Sequence, residues 1–376
     1  MNLTFLPNRS VLLISGIYYP DIGGPATFIP KFAYALVAKK FQVCTLALTD
    51  DKKASRPVES WERIFIRRDL PLPIRFIVTT LRIRLKSNRS RVIFANGLYE
   101  ETAVASLFRK KTKVAKIVGD PIWERYRNKV NPKISLEEFN EVERPDFKCY
   151  IQRKFLVWSL NQFDVITTPS QQLANIVKKW GVNKDIKVIA NGIKIREVIL
   201  SQKEFDVITV SRLVTWKNLD KVIEVCQELK LKLAIVGSGP DENRLRNLVR
   251  DDSVLFLGQL NNDKVSECLS KSKVYALLSD YEGLSHSLLE AMNLGIPVIV
   301  SSAPGNTAII RDGENGLVVN IKNKNELISG FTKLILNSEY SNQLAKKAKQ
   351  EVDLNFNLNT QLREFINLLM YTDHAK

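Results

Sequence analysis

The 376 residues suit two domains of about 150–200 residues each, and a 45% apolar content is enough to fill two cores. No apolar run reaches the ~18 residues that would span a bilayer, which argues against an integral membrane protein. The net charge of +16 is uneven: residues 1–196 hold 35 Lys and Arg against 17 Asp and Glu, whereas the remainder holds 21 against 23. The first half is therefore expected to meet an anionic surface or substrate. Cys44, Cys149, Cys226 and Cys268 form no Cys-x-x-Cys pair, so small core residues in a reducing compartment are expected.

In chain order, Ser10 to Ser15 reads as a buried parallel strand. The loop to Pro25 follows at once, with Asp21 and the paired glycines Gly23 and Gly24, so this is a first strand and not a signal peptide. Paired glycines allow either a close ligand approach or a tight turn. Phe28, Phe32, Ala35 and Leu36 form a helical stripe, and Phe41 to Leu48 is a second strand. No Gly-x-Gly-x-x-Gly is present, so a dinucleotide fingerprint is not supported. Residues 63–91 interleave arginines with aliphatic residues, and Pro73 can open a helix from Ile74 to Leu85, apolar on one side and basic on the other. Such a helix suits an anionic membrane surface or, equally simply, a solvated basic face. A second basic cluster runs from Arg109 to Lys116.

Strands are expected at Arg91–Ala95 and Lys113–Val118, with a helix from Glu100 to Phe108 between them. The second strand ends in Gly119-Asp120-Pro121-Ile122-Trp123-Glu124. Asp120 lies either at a ligand-binding strand edge or at the cap of the next turn. Asn131 to Pro145 reads as a polar loop or lid, and Phe147 to Phe163 as a long helix offering Tyr150, Phe155, Trp158 and Leu160 to the core. Strands at Asp164–Thr168 and Lys187–Ala190 follow, and Asn191-Gly192 precedes a linker near residues 194–204.

The second half alternates strand, loop and helix about every 25 residues, which describes a doubly wound parallel sheet. Phe205–Val210 is a strand leading to Arg212 and Lys217, five apart before a helix, a spacing that suits a diphosphate. Leu231–Val236 ends in Gly237-Ser238-Gly239-Pro240, and Val254–Leu257 leads to Gln259 and Leu260. The strand Val274–Leu278 opens into Asp280-Tyr281-Glu282-Gly283-Leu284-Ser285-His286, then a helix bearing Glu290 and stopped by Gly295 and Pro297. Its two carboxylates lie at a strand's carboxyl end, with backbone N–H groups from Gly283 to His286 at a helix N-terminus.

Taken together, Glu-Gly-Leu-Ser, Glu-Ala-Met, Gly-Ile-Pro-Val-Ile-Val and the later Asp-Gly-Glu-Asn-Gly-Leu resemble glycosyltransferase family 4, retaining enzymes of the GT-B fold. The resemblance covers nearly the whole chain and is most specific over residues 205–318. It implies an α/β GT-B architecture: two Rossmann-like doubly wound parallel-sheet domains facing a central cleft. Residues 1–197 would form the acceptor domain and 198–376 the donor domain, with a last helix near 358–371 crossing back. Gly23 and Gly24 match the loop over the donor diphosphate, Gly237 lies near the nucleotide, and Gln259 and Leu260 match the region meeting the nucleobase. Arg212 and Lys217 match the cations on the diphosphate. Glu290 matches the ribose ligand and Glu282 the residue near the donor sugar, helped by Gly283, Leu284, Ser285 and His286. Many members carry a first-domain histidine at the reaction centre. Here the only histidines are His286 and His374, so Asp120, with Glu124 behind it, is the acceptor-side candidate.

The resemblance implies a retaining, metal-independent glycosyltransferase needing no cofactor, which takes a nucleoside-diphosphate sugar to a glycan acceptor. The basic first half points to a lipid-linked acceptor at the cytoplasmic face of the membrane, in cell-surface polysaccharide or lipopolysaccharide assembly, with the protein held peripherally. A soluble transferase to a small acceptor, a nucleotide-sugar epimerase and a non-catalytic relative stay open. Nucleic acid is an unexpected partner, because the basic segment lacks stacking aromatics and a binding motif.

Overall fold

The computed structural model describes residues 9–19, 21, 24–50, 60–131, 134–141, 146–197 and 201–374. Strands β1 (Ser10–Ser15), β2 (Gln42–Thr49), β3 (Glu62–Arg67), β4 (Val92–Asn96), β5 (Thr112–Lys116), β6 (Val165–Thr168) and β7 (Ile186–Val188) form one sheet in the order β3-β2-β1-β4-β5-β6-β7. Strands β8 (Phe205–Val210), β9 (Leu233–Val236), β10 (Val254–Gly258), β11 (Ser272–Leu277), β12 (Val298–Ser301) and β13 (Leu317–Val319) form a second, in the order β10-β9-β8-β11-β12-β13. Every strand pairing is parallel. Strand order reverses between β1 and β4, and again between β8 and β11. In open α/β sheets, the carboxyl ends of the strands flanking such a reversal are where ligands bind.

The chain packs into two compact units: residues 1–118, 143–189 and 362–376 in the first, and 119–142 with 190–361 in the second. Residues 119–142, which precede the boundary expected near 197, thus pack with the second unit. In the first unit, Phe28, Phe32 and Phe94 pack against Phe365 of the Leu358–His374 helix, with ring centroids 5.2 to 5.7 Å from that of Phe365. In the second unit, alternate strand residues fill two cores on opposite faces of the sheet. Ile208, Ala234, Tyr275 and Val298 lie on one side, and Val207, Leu233, Val274 and Ile299 on the other. All four cysteines are unpaired, and no described helix is long and apolar enough to cross a membrane.

Several local expectations change. Strands β3 and β13 were hidden in sequence: β3 lies inside the arginine-rich run and β13 is only three residues long. Within the stretch read as a loop or lid, residues 136–141 form a short helix. Phe155 and Trp158, expected in the core, are each 39% exposed, because the Phe147–Leu160 helix buries Cys149, Leu156, Ser159 and Leu160 instead.

Candidate active site

The second unit gathers most of the candidate residues at the carboxyl ends of β8 and β11, neighbouring strands at the reversal of strand order. After β8 the chain passes through Arg212, makes a single 3₁₀ turn at Thr215–Lys217, and enters the Leu219–Glu228 helix. Asn218 joins the two in a left-handed conformation, φ 50°. Asparagine tolerates this region better than most side chains. Its side chain also fastens the two loops together, with Nδ2 donating to Leu278 O at 2.9 Å and Asp280 Oδ1 at 2.7 Å.

That fastening brings Lys217 to Glu282. Lys217 Nζ donates to Glu282 Oε1, which also accepts from Ser279 Oγ at 2.6 Å. The pair is nearly closed off from solvent, with the two side chains 12% and 10% exposed. Glu282 is held from behind by Gly305, where a Cβ would stand 2.1 Å from Glu282 O and 2.6 Å from its carbonyl carbon. Ser301 Oγ donates to Ser279 O, and Asn306 Nδ2 donates to Ser301 Oγ at 3.1 Å. The Ser301–Asn306 loop therefore supports the Glu282 loop. Sequence reasoning missed Ser279 and Gly305; the Pro-Gly after a strand was the available signal.

Ser285 caps the His286–Asn293 helix by accepting from Leu288 N–H, while Ser287 Oγ donates to Val210 O at 2.9 Å, pinning the helix to the end of β8. Glu290 is half-buried on this helix. Burial pushes the Tyr275 phenol well above its ordinary pKa; its hydrogen bond with Ser287 opposes the shift, and the charges of Glu282 and Glu290 add to it. Leu284 is buried, and its carbonyl accepts from Asn191 Nδ2. Gly237, φ 136°, has a backbone reason to be glycine, since a Cβ would lie 1.9 Å from Ser211 O. Gln259 is exposed just beyond β10, with its Oε1 3.4 Å from Ser238 Oγ, and Leu260 packs against the core.

The segment 119–131 supplies the other side of the site. Trp123 is fully buried, with its ring 5.5 Å from that of Trp216 and 5.3 Å from that of Tyr281. Arg127 lies over Trp123 and Trp216 and donates to Asp280 Oδ2 and to Ile134 O. Glu124 Oε2 accepts from Arg212 Nη2 at 3.2 Å. Both expected phosphate cations thus face carboxylates: Arg212 meets Glu124, and Lys217 meets Glu282. Asp120 is fully buried as the N-cap of the Pro121–Lys129 helix, with Oδ1 accepting from Ile122 and Trp123 N–H at 3.0 and 3.1 Å. Of the paired glycines, Gly24 begins the Gly24–Ala38 helix in the first unit, and Gly23 lies outside the described residues.

A family model described as "Glycosyl transferases group 1" matches residues 192–351, and "Glycosyltransferase Family 4" matches residues 22–197. The two models together span residues 22–351, and the chain belongs to the glycosyltransferases they describe. Among solved structures, this glycosyltransferase is similar to sucrose-phosphate synthase from Thermosynechococcus elongatus, with TM-score 0.80, 18% identity, and 98% and 100% of the two chains covered. It is likewise similar to Anabaena HepE in complex with UDP and glucose, with TM-score 0.78, 17% identity, and 96% and 100% covered. At these identities the likeness speaks for the fold alone. Among curated sequences it is 29% identical to the N-acetyl-alpha-D-glucosaminyl L-malate synthase of Bacillus anthracis, over 52% of this chain and 56% of that one. The match spans about half the length of that relative.

Proposed function

We propose that this glycosyltransferase moves a sugar from a nucleoside-diphosphate sugar to a glycan acceptor, with retention at the anomeric carbon and without a metal. The observation that carries this reading is the joining of Lys217 and Glu282 across the reversal of strand order, with Arg212 on the same loop as Lys217 and paired to Glu124. As the bond from the anomeric carbon to the diphosphate breaks, its electron pair leaves with the phosphate oxygen. Arg212 and Lys217 then neutralise the charge that develops, a stabilisation worth about 3 kcal/mol per donor. For the diphosphate to bind, each cation exchanges a carboxylate partner for a phosphate oxygen. Glu282, released from Lys217, takes up hydroxyls of the donor sugar, and Glu290 those of the ribose. Gly237, Gln259 and Leu260 line the nucleoside end, Gly24 lies at the first-domain loop, and Asp120 fixes the segment carrying Glu124.

The acceptor in this reading is lipid-linked, and the enzyme works peripherally at the cytoplasmic face of a membrane, in cell-surface polysaccharide or lipopolysaccharide assembly. The basic surplus of residues 1–196 supports it. A thermal-shift screen with UDP, GDP, ADP and their sugars tests the donor half, because a ligand at 100 times its dissociation constant adds about 2.7 kcal/mol. No shift with any of them would remove the donor assignment. NMR of the product's anomeric centre tests retention.

A further inference from the structure

In the first unit the exposed apolar surface is concentrated on two helices. On Leu72–Ser87, Ile74, Ile77, Leu81 and Leu85 recur at helical spacing and are 51%, 57%, 54% and 61% exposed, while the opposite side buries Thr79, Ile83 and Ser87. The aliphatic stripe thus points away from the core, the reverse of an ordinary surface helix. On Phe147–Leu160, Phe147, Ile151, Phe155 and Trp158 form a second outward stripe. The two helices adjoin through Phe76, which lies on the side of its helix turned from the stripe: its ring is 6.2 Å from that of Phe155, which stacks on Trp158 at 5.7 Å. At one end stands Phe108, fully exposed and held at φ 62°, a costly conformation for an aromatic residue. Arg109 fixes it there by donating to Arg84 O and Ser87 Oγ. No Asp or Glu occurs between Asp69 and Glu100 or between Asp146 and Asp164, whereas Arg75, Arg82, Arg84 and Arg89 flank the first stripe and Lys148 and Lys154 lie on the second helix.

We propose that this two-helix face is the surface by which the protein lies on an anionic lipid leaflet, with the Phe147–Trp158 stripe entering the interface beside the Ile74–Leu85 stripe. The proposal rests on the membrane-borne acceptor reading above and assigns its docking surface. An apolar ridge on two helices that carry cations and no carboxylate complements a bilayer whose headgroups are negative and whose boundary accepts Trp and Phe. A second copy of the chain fits worse, because a twofold contact would bring the same arginines together.

The test is flotation of the full chain with vesicles of phosphatidylglycerol and phosphatidylcholine, against phosphatidylcholine alone. Circular dichroism and UDP binding report on the fold and the donor site. The wild type is expected to float with the anionic vesicles and to release as salt rises. Ile77→Ser/Leu81→Ser and Phe155→Ser/Trp158→Ser should each lower the partition coefficient by about tenfold or more. A wild type that ignores anionic vesicles would overturn both the docking surface and the membrane reading. Undiminished binding by Phe155→Ser/Trp158→Ser would overturn only the role of the second helix. A doubled mass in solution, lost in the same variants, would give the face to a second copy instead.

Discussion

Arg212 and Glu124 form an ion pair of 3.2 Å, and Glu124 is brought there by a helix anchored through Trp123. The acid occupies one of the two cations assigned to the donor diphosphate. Glu124→Gln should therefore tighten nucleoside-diphosphate binding. Arg212 is half exposed, so solvent screens the contact and the gain should be modest, roughly threefold. Calorimetric titration at low and high salt checks it: the gain should shrink as salt rises. Weaker binding by the variant would end the idea that Glu124 competes with phosphate.

Lys217 and Glu282 are a different case, because both side chains are almost closed off from water. Lys217→Ala and Glu282→Ala should each cut turnover by ~100-fold or more. Either change also leaves a buried charge without its partner, so stability should fall by about 3 kcal/mol or more. The double variant should lose less than the sum of the two. Kinetics and thermal melts of all three separate these effects, and a near-normal rate in either single variant would remove that residue from the mechanism.

Gly305 sets the backbone of Glu282 from outside its own loop. Gly305→Ala would press a methyl group into the Glu282 carbonyl, and since the clash is with backbone, the loop must move. Overpacking of this kind costs about 1–3 kcal/mol, and turnover should fall with the Glu282 geometry. Gly258→Ala is the control: its φ of 64° costs about 1 kcal/mol, but no atom lies within 4 Å of the new Cβ. Equal activity losses in the two variants would contradict the specific role of Gly305.

Lys116 gives the first unit a pH dependence. It is 2% exposed, with Nζ 4.4 Å from the centre of the Phe28 ring and 4.9 Å from that of Phe365, and burial pushes its pKa down to about 7. An unfolded lysine titrates near 10.4, so between the two values the unfolded chain binds the extra proton and stability rises with pH. The slope is about 1.4 kcal/mol per pH unit within that window and vanishes below it. Denaturant melts of the wild type and Lys116→Met from pH 6 to about 10 check this: the stability difference between them should change across the window, and a constant difference would contradict the shift.

Much of the candidate site in the second unit was legible in sequence because its residues sit immediately after strands. Arg212, Lys217, Glu282 and Glu290 share short strand-loop-helix units, and a parallel sheet places such units at one edge whatever the loops contain. The left-handed turn at Asn218, which joins the Lys217 loop to the next helix, had no such local signal. What escaped was side-chain partnership across long separations. Nothing near Glu124 in the sequence signals Arg212, 88 positions away, and nothing near Gly305 signals Glu282. Trp158 and Phe155 were misplaced for a related reason: hydrophobicity marks a residue that can be buried, but only the packed neighbours determine which side of the helix is covered.

By itself the sequence determined the alternating strands and helices, the uneven charge and the order of the motif residues, since these follow from local periodicity and composition. The tertiary structure decided which carboxylate meets which cation, the packing of residues 119–142 with the second unit, and the outward turn of two apolar stripes. Those depend on which faces the sheets and neighbouring helices leave uncovered, a property of packing that no local stretch of chain contains.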